Sequence, residues 1–508
     1  MEGLAMPLLW IRRQRAGLTA LLLGLFAAGV PVRAQAPVDG TREAWDAIYV
    51  GDAKVGHIHL WITPVQDANG RELQNVRLDY EMTFQRGADT ATVRMIYGTI
   101  ELPDGEVLRL DTRTQAGQQD IRARGDVIDG VMDLALEVGG QKARKRIPWG
   151  KDVRGPYGPE MSLSREPMKP GETRTVRNFV PDLNEICVTT LTATGVEEIT
   201  LGPKGEKFRL LRVEAKLATP DGQAKPDFDA VHWVDESGQI LKSYVNQLGG
   251  ISIYRTTKEG ALARNGRPFD LLRRSIVAVP RPIANPDRSR AAVYEVKGLP
   301  ADAFPTDQRQ AAVAGRDATL RLEVRTDGPD TGASGPEEVD PSFLRANPIV
   351  DSADARVARL AREAVAGRQD PWERAVAVQR WVSANIKSKN FAMAFNPAAA
   401  VARDLSGDCT EHSVLTAAMC RAAGVPARCV IGLVYAPDLK GFGPHMWNEV
   451  YVHGRWVAID AAFNQSQVDA THIKLSDTSL EGVAPFEAFL PVLRVMQPGV
   501  AITPVEVR

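Results

Sequence analysis

Between about residues 40 and 275 apolar and polar positions alternate one by one. Val76, Leu78, Tyr80, Met82 and Phe84 interleave with Arg77, Asp79, Glu81 and Thr83, and Leu211, Val213, Ala215 and Leu217 interleave with Arg212, Glu214 and Lys216. A period of two marks a strand with one face in a core. Pro103-Asp104-Gly105 and Ser237-Gly238 fall between such runs, where hairpin loops belong. The pattern predicts an antiparallel β region over residues 37–275, built as one or two sandwich-like units.

Pro280, Pro282 and Pro286 open a linker assigned to residues 276–340, because prolines stiffen the chain and remove backbone donors. Within it Leu320, Leu322 and Val324 mark a short β segment, and Gly328-Pro329, Gly332 and Gly335-Pro336 close it. Beyond residue 340 the period lengthens to about 3.6, that of a helix. Asp370-Pro371-Trp372-Glu373 reads as an N-cap, a proline in the first turn and a glutamate placed to reach back to the cap. Ala375, Val378, Val382 and Ile386 then share one face. A later helix is expected to begin at Cys409 and stop near Gly424, where Pro426 bars continuation. Arg428 to Tyr435 follows as a buried strand. This helical-then-β unit spans 341–480, and 481–508 is left as a C-terminal tail.

The first 34 residues fit none of these patterns. Arg12, Arg13 and Arg15 precede an apolar run from Ala16 to Val30 that is short for a membrane span, the form of a secretory signal peptide cut after Ala34. The expectation is a periplasmic or secreted protein that touches a membrane only if that segment stays uncleaved. The whole chain of 508 residues carries 62 basic and 63 acidic residues; without four arginines and one glutamate of the leader, the balance is 58 to 62, a formal charge of −4. Such a balance gives no electrostatic footprint for nucleic acid. Export also sets an oxidising context for Cys187, Cys409, Cys420 and Cys429. Cys420 and Cys429, on adjacent helix and strand, are a possible disulfide, although two buried thiols are the safer expectation.

Candidate chemistry concentrates in the C-terminal unit. Cys409 follows Gly407-Asp408, a turn-forming pair, and so falls in a first helical turn. Unpaired N–H groups and the positive end of the helix dipole favour negative charge on sulfur there; the plainer alternative is a buried structural cysteine. His445–Val452 and Arg455–Asp460 read as strands joined by a two-residue primed turn, His453-Gly454. That register sets Trp447 opposite Asp460 and makes His445 its diagonal neighbour on one face, ~7–8 Å away; a one-residue slip would part them. Trp447 and Asn448 flank His445 and are weak candidates for shaping a cleft. Cys409 and His412 have the spacing of a zinc pair, but no second pair accompanies them, so no metal or cofactor is expected. His412 and Glu411 read as supporting or structural. His57 and His59 share a strand face with Trp61, as a weak metal site or an ordinary solvated face. No loop has calcium-ligand spacing.

Taken together, Gly407-Asp408-Cys409-Thr410-Glu411-His412-Ser413, Ala423-Gly424-Val425-Pro426-Ala427-Arg428, His445-Met446-Trp447-Asn448-Glu449-Val450-Tyr451 and Trp456-Val457-Ala458-Ile459-Asp460 resemble the core of the transglutaminase-like superfamily over about residues 350–475. The resemblance implies a multidomain chain: an antiparallel all-β region followed by an α+β, papain-like transglutaminase core. It implies Cys409 as nucleophile, His445 as general acid and base, and Asp460 as the group that orients the imidazole. The backbone N–H of Cys409 would supply one oxyanion donor; Trp372 and Trp381 are upstream indoles that fit either the second donor or core packing. Family members often follow this aspartate with a residue and then a threonine, where this chain has Ala461-Ala462. The implied substrate is a protein or peptide carboxamide, with cell-envelope material among the possibilities. The outcome is transfer to an amine, or hydrolysis by a peptidase or amidase. A non-catalytic scaffold or adhesion module retaining the fold is the alternative from another class.

Overall fold

A computed structural model describes residues 40–508, except 87–88, 117–118, 139–140, 203–205, 248, 265–268, 316, 318, 331–337, 388–395 and 482–484. The leader, Gly332 and Gly335-Pro336 lie outside the described residues. Among the described residues no helix is long and apolar enough to cross a membrane.

The N-terminal strands form a single 14-stranded antiparallel sheet, where the alternation alone reads as one or two sandwich-like units. Eight strands from Arg42–Val50 to Gln141–Pro148 pair in sequence order, and six from Thr173–Val180 to Ile251–Thr256 do the same. The two meanders fuse where Arg42–Val50 pairs with Ile251–Thr256, Trp45 opposite Thr256 and Val50 opposite Ile251. Sheets of this length twist and curl. Here the curl brings the two end regions into one core, in which Leu110, Met132 and Leu134 cluster with Phe179 and Ile186. Alternation decides which side chains face inward; it does not say how many strands share one ladder. The two hairpin turns are where expected: Gly105 N–H donates to the Leu102 carbonyl at 2.8 Å and Gly238 N–H to that of Asp235 at 3.0 Å.

The stretches read as linker and tail meet in one four-stranded sheet, Gln310–Ala314, Leu320–Arg325, Ala291–Lys297 and Ala501–Val507 in that order. The last strand pairs with one some 200 residues earlier, Val296 opposite Ile502, and local periodicity cannot register such a partner.

The site-bearing unit sets helices α1 (Ala355–Val365), α2 (Pro371–Asn385), α3 (Ala398–Asp404) and α4 (Cys409–Ala422) against a five-stranded sheet. Its strands include β1 (Ala427–Ala436), β2 (Gly441–Val452), β3 (Arg455–Ile459) and β4 (His472–Thr478), with β1 between β2 and β4 and β3 on the far side of β2. At the start of α2 Asp370 accepts from the Glu373 N–H at 3.0 Å, and its other oxygen takes His453 Nε2 at 2.8 Å. Ala375, Val378, Gln379 and Val382 form the buried face of α2. Helix α4 is enclosed: every residue from Thr410 to Arg421 is buried. Burial of a whole helix requires that its polar side chains find partners, and those partners define the site.

Candidate active site

Helix α4 starts at Cys409 because three preceding and following residues fix it there. Gly407 has φ +148, and a Cβ at this position would lie 2.3 Å from Glu411 Cβ, so only glycine fits. Asp408 and Glu411 form a capping box: the Asp408 carboxylate accepts from the Thr410 N–H at 2.9 Å, and Glu411 Oε2 accepts from the Asp408 N–H at 2.9 Å. Glu411 Oε1 also accepts from Asn396 Nδ2 at 3.1 Å. Burial, and then the Asp408 charge, push the Glu411 carboxyl up to about 8. Largely neutral near pH 7, it closes the cap without adding a second full negative charge beside the thiol. His412 Nδ1 lies 2.6 Å from the Asp408 carbonyl, a structural role that occupies one nitrogen of the zinc-like Cys409/His412 spacing.

Cys409 is half-buried, whereas Cys187, Cys420 and Cys429 are fully buried and all four are free. Burial pushes the thiol of Cys187 up to about 11 and that of Cys420 to about 12, and raises that of Cys429 as well. Cys420 and Cys429 are thus two buried thiols, the safer of the two expectations.

The hairpin has the anticipated register, with Asn448 opposite Ile459 and Val452 opposite Arg455. His453 (φ +49) and Gly454 (φ +78) are both left-handed, as a primed two-residue turn requires. His445 Nε2 consequently sits 2.6 Å from Asp460 Oδ2. This leaves Nδ1 as the ring nitrogen available to Cys409, whose thiol also acts on the imidazole. Burial opposes the imidazolium, but the Asp460 charge and hydrogen bond, with the contact to Cys409, outweigh it and raise His445 to about 9. Asp460 feels the converse: burial opposes its ionisation, and the charges and hydrogen bonds of His445 and His472 hold it well below the usual carboxylate range.

Support for Asp460 comes from residues that sequence reasoning passed over. Its Oδ1 accepts from the backbone N–H groups of Ala462 (2.6 Å) and Phe463 (3.1 Å), an Asx-type turn that serves where a threonine is absent. Gln379 of α2, fully buried, donates to the Asp460 carbonyl at 3.2 Å and to Asn464 Oδ1 at 3.1 Å. His472 lies 3.2 Å from Asp460 Oδ2 through Nε2 and 3.2 Å from Asp469 Oδ1 through Nδ1. Burial works against its charge, and the two carboxylates raise its pKa. Asp469 is held in turn by Thr471 Oγ1 at 2.6 Å and Gln465 Nε2 at 2.8 Å. One available signal was rarity: the chain has only seven histidines, and His472 stands twelve residues after Asp460.

His445, Asp460 and His472 are also the group with metal-like spacing among the described residues. Both imidazole nitrogens converge on one carboxylate oxygen at hydrogen-bonding distance, which accounts for the cluster through N–H donation. His57 and His59 belong to the solvated outer face of the large sheet, where Trp45 stacks on His59 (centroids 3.8 Å apart) and His59 Nε2 pairs with Glu43 at 2.6 Å.

Two cleft candidates turn out differently. Trp447 and Asn448 are fully buried and do not line an opening. Asn448 Nδ2 donates to the Ser413 carbonyl at 3.0 Å, and Ser413 Oγ donates to the Trp447 carbonyl at 2.8 Å, so this pair fastens α4 to β2. Phe463 occupies the exposed position instead, stacked on the His445 ring with centroids 4.6 Å apart. Trp372 and Trp381 are half-buried in a groove lined by residues of α1 and α2.

A helix-borne thiol beside a sheet-borne imidazole and carboxylate defines a thiol-enzyme core. Residues 358–461 match the model of the transglutaminase-like superfamily, and this part of the chain is a transglutaminase-like core. No curated protein matches the chain. Among solved structures, it is similar to a candidate cysteine protease from Cytophaga hutchinsonii (15% identity, 43% of this chain and 87% of that one, TM-score 0.27). It is also similar to a beta-barrel-like protein of a domain of unknown function from Brucella abortus (10% identity, 42% and 95%, TM-score 0.30). A candidate protease from Parabacteroides distasonis is a further likeness (12% identity, 74% and 68%, TM-score 0.20).

Proposed function

We propose that this protein is an exported acyl-transfer enzyme that forms a thioester on Cys409 from a protein or peptide carboxamide. The single observation that supports this most is the 2.6 Å His445–Asp460 pair beside a capped helix that begins at the one half-buried cysteine. The Cys409 thiolate attacks the carboxamide carbon. The C–N bond breaks as the His445 imidazolium passes its proton to the departing amine or ammonia, leaving the thioester and a neutral imidazole. A water or primary amine then attacks the thioester carbon, gives its proton to His445 and releases the Cys409 thiolate. Asp460 keeps the imidazole in one orientation and one protonation preference throughout. The first-turn N–H of Cys409, which the helical ladder does not use, serves as an oxyanion donor.

The test offers the mature protein glutamine-containing peptides with and without a labelled primary amine, beside Cys409→Ala. Label incorporated into the peptide identifies a transferase, backbone cleavage a peptidase, and ammonia alone a deamidase. Absence of every product, with no acyl-enzyme trapped on Cys409, sinks the proposal in favour of a scaffold.

A further inference from the structure

The concave side of the curled N-terminal sheet encloses a cavity of about 330 Å³. Its wall draws on both meanders, with Leu60 and Leu78 from one and Leu217 and Ile253 from the other, so it follows from the curl of the sheet. Most of the lining is apolar. Its polar groups are mostly satisfied within the protein: Arg255 Nε pairs with Asp46 Oδ1 at 2.7 Å, Tyr97 Oη donates to Asp182 Oδ1 at 3.1 Å, Thr189 Oγ1 donates to Asn178 Oδ1 at 2.8 Å, and His232 Nδ1 is 2.8 Å from Ser243 Oγ.

Glu160 is the exception. It lines the cavity from the first turn of the helix Gly158–Arg165. Its Oε2 is buried and has no hydrogen-bond partner, and no cation pairs with it among the described residues. Burial pushes this carboxyl up to about 7. A buried carboxyl oxygen without a partner costs folding free energy and gives nothing back. A small apolar chamber with one unsatisfied polar group is the form of a ligand site.

We propose that this chamber binds a small amphiphilic amine, its apolar body packed along the sheet interior and its ammonium or N–H group donating to Glu160. The charge balance selects the class. Arg255 is neutralised by Asp46 and Lys242 sets its ammonium over the Trp233 and Tyr254 rings, 4.6 and 5.5 Å from their centroids, leaving the carboxyls of Glu160 and Asp182 to repel anions and attract cations. Tyr80, Tyr97 and Tyr157 also line it, and aromatic rings are compatible with a cation. The volume admits on the order of ten non-hydrogen atoms at about 30 Å³ each.

The experiment is calorimetric titration of the mature protein with octylamine, octanol and octanoate below their aggregation limits. Octylamine should bind at least tenfold more tightly than octanol, and octanoate more weakly than either. Amine affinity should rise between pH 6 and pH 8 as Glu160 ionises. Glu160→Gln, which keeps the shape, should remove both the amine preference and that pH dependence. Ala230→Leu, which fills the chamber, should abolish binding, while Cys409→Ala should leave it intact and so separate this site from any acceptor site at the thiol. Circular dichroism and melting temperature check that each variant folds. Equal or tighter binding of octanoate, an unchanged preference in Glu160→Gln, loss of binding in Cys409→Ala, or no binding of any of the three would overturn the proposal.

Discussion

Replacing Asp460 by Asn isolates the electrostatic core of the site. Burial alone would carry His445 below the ordinary histidine value of about 6.5, and the charge and hydrogen bond of Asp460, with the contact to Cys409, raise it to about 9. The raised value corresponds to about 3 kcal/mol of preference for the imidazolium at about 1.4 kcal/mol per unit. Asp460→Asn removes that charge. The amide Nδ2 then donates to His445 Nε2, placing the ring proton on Nδ1, the side that faces Cys409 and the wrong tautomer for accepting its proton. NMR titration of the His445 ring should show its midpoint falling to 6.5 or below, and acylation of Cys409 by an activated ester should slow by about 10²–10⁴-fold. A stability corollary has a definite sign. A group whose folded pKa lies above its unfolded one contributes fully below about pH 6.5 and loses that contribution as pH rises through about 9. The native melting temperature should therefore fall across that window, and that of Asp460→Asn should lose this component of the decline. A His445 midpoint still near 9 in Asp460→Asn would refute the assignment of the shift to this carboxylate.

Cys409→Ala should eliminate acyl-enzyme detected by mass spectrometry while leaving the circular dichroism spectrum unchanged. His472→Gln, which removes the imidazole held between Asp460 and Asp469, should lower kcat about tenfold with little change in KM, and the pH profile of kcat should shift; an unaltered profile would assign His472 a packing role only. Gly407→Ala should destabilise the fold by roughly 1–3 kcal/mol in urea denaturation, from the forced φ and the contact with Glu411. In the folded protein a thiol reagent should label Cys409 rapidly, with Cys187, Cys420 and Cys429 reacting only on unfolding, as read by peptide mapping.

The legible parts of the sequence were those governed by local rules. Cys409 at a helix start follows from Gly407 and the Asp408/Glu411 spacing, and the His445–Asp460 encounter follows from the turn His453-Gly454. What escaped was non-local. The pairing of Ala501–Val507 with Ala291–Lys297 leaves no periodic trace in either segment, so the last residues read as a tail. Fusion of the two meanders through Trp45 and Thr256 is likewise a contact between distant strands that each look like ordinary edges. Trp447 and Asn448 were misplaced for a related reason: adjacency to His445 in sequence cannot tell which of its neighbours faces solvent, and both are enclosed beneath α4.

His472 shows why such residues stay hidden. Strands β1 and β4 pair with a break in register between Ile431 and Gly432: Val430 faces Asp477 and Ile431 faces Ser476, but Gly432 faces Lys474 and Val434 faces His472. One residue of β4 is therefore extra, and a single extra residue inverts which face the rest of a strand presents. Counting back from Asp477 by twos would put Leu475 and Ile473 on the site face and His472 on the other. With the bulge, His472, Lys474 and Asp477 all share that face, and Lys474 can reach Glu449 (2.8 Å) and Asp477 (2.8 Å) while His472 reaches Asp460. Gly432, opposite both His445 and Lys474, completes the arrangement. A Cβ there would meet the Ile473 carbonyl at 2.1 Å and the Trp447 ring at 2.6 Å. A side chain at this position would hold apart the two strands that bring His445 and His472 to one carboxylate, so the absence of a side chain in β1 is as much a part of the site as the imidazoles it lets converge.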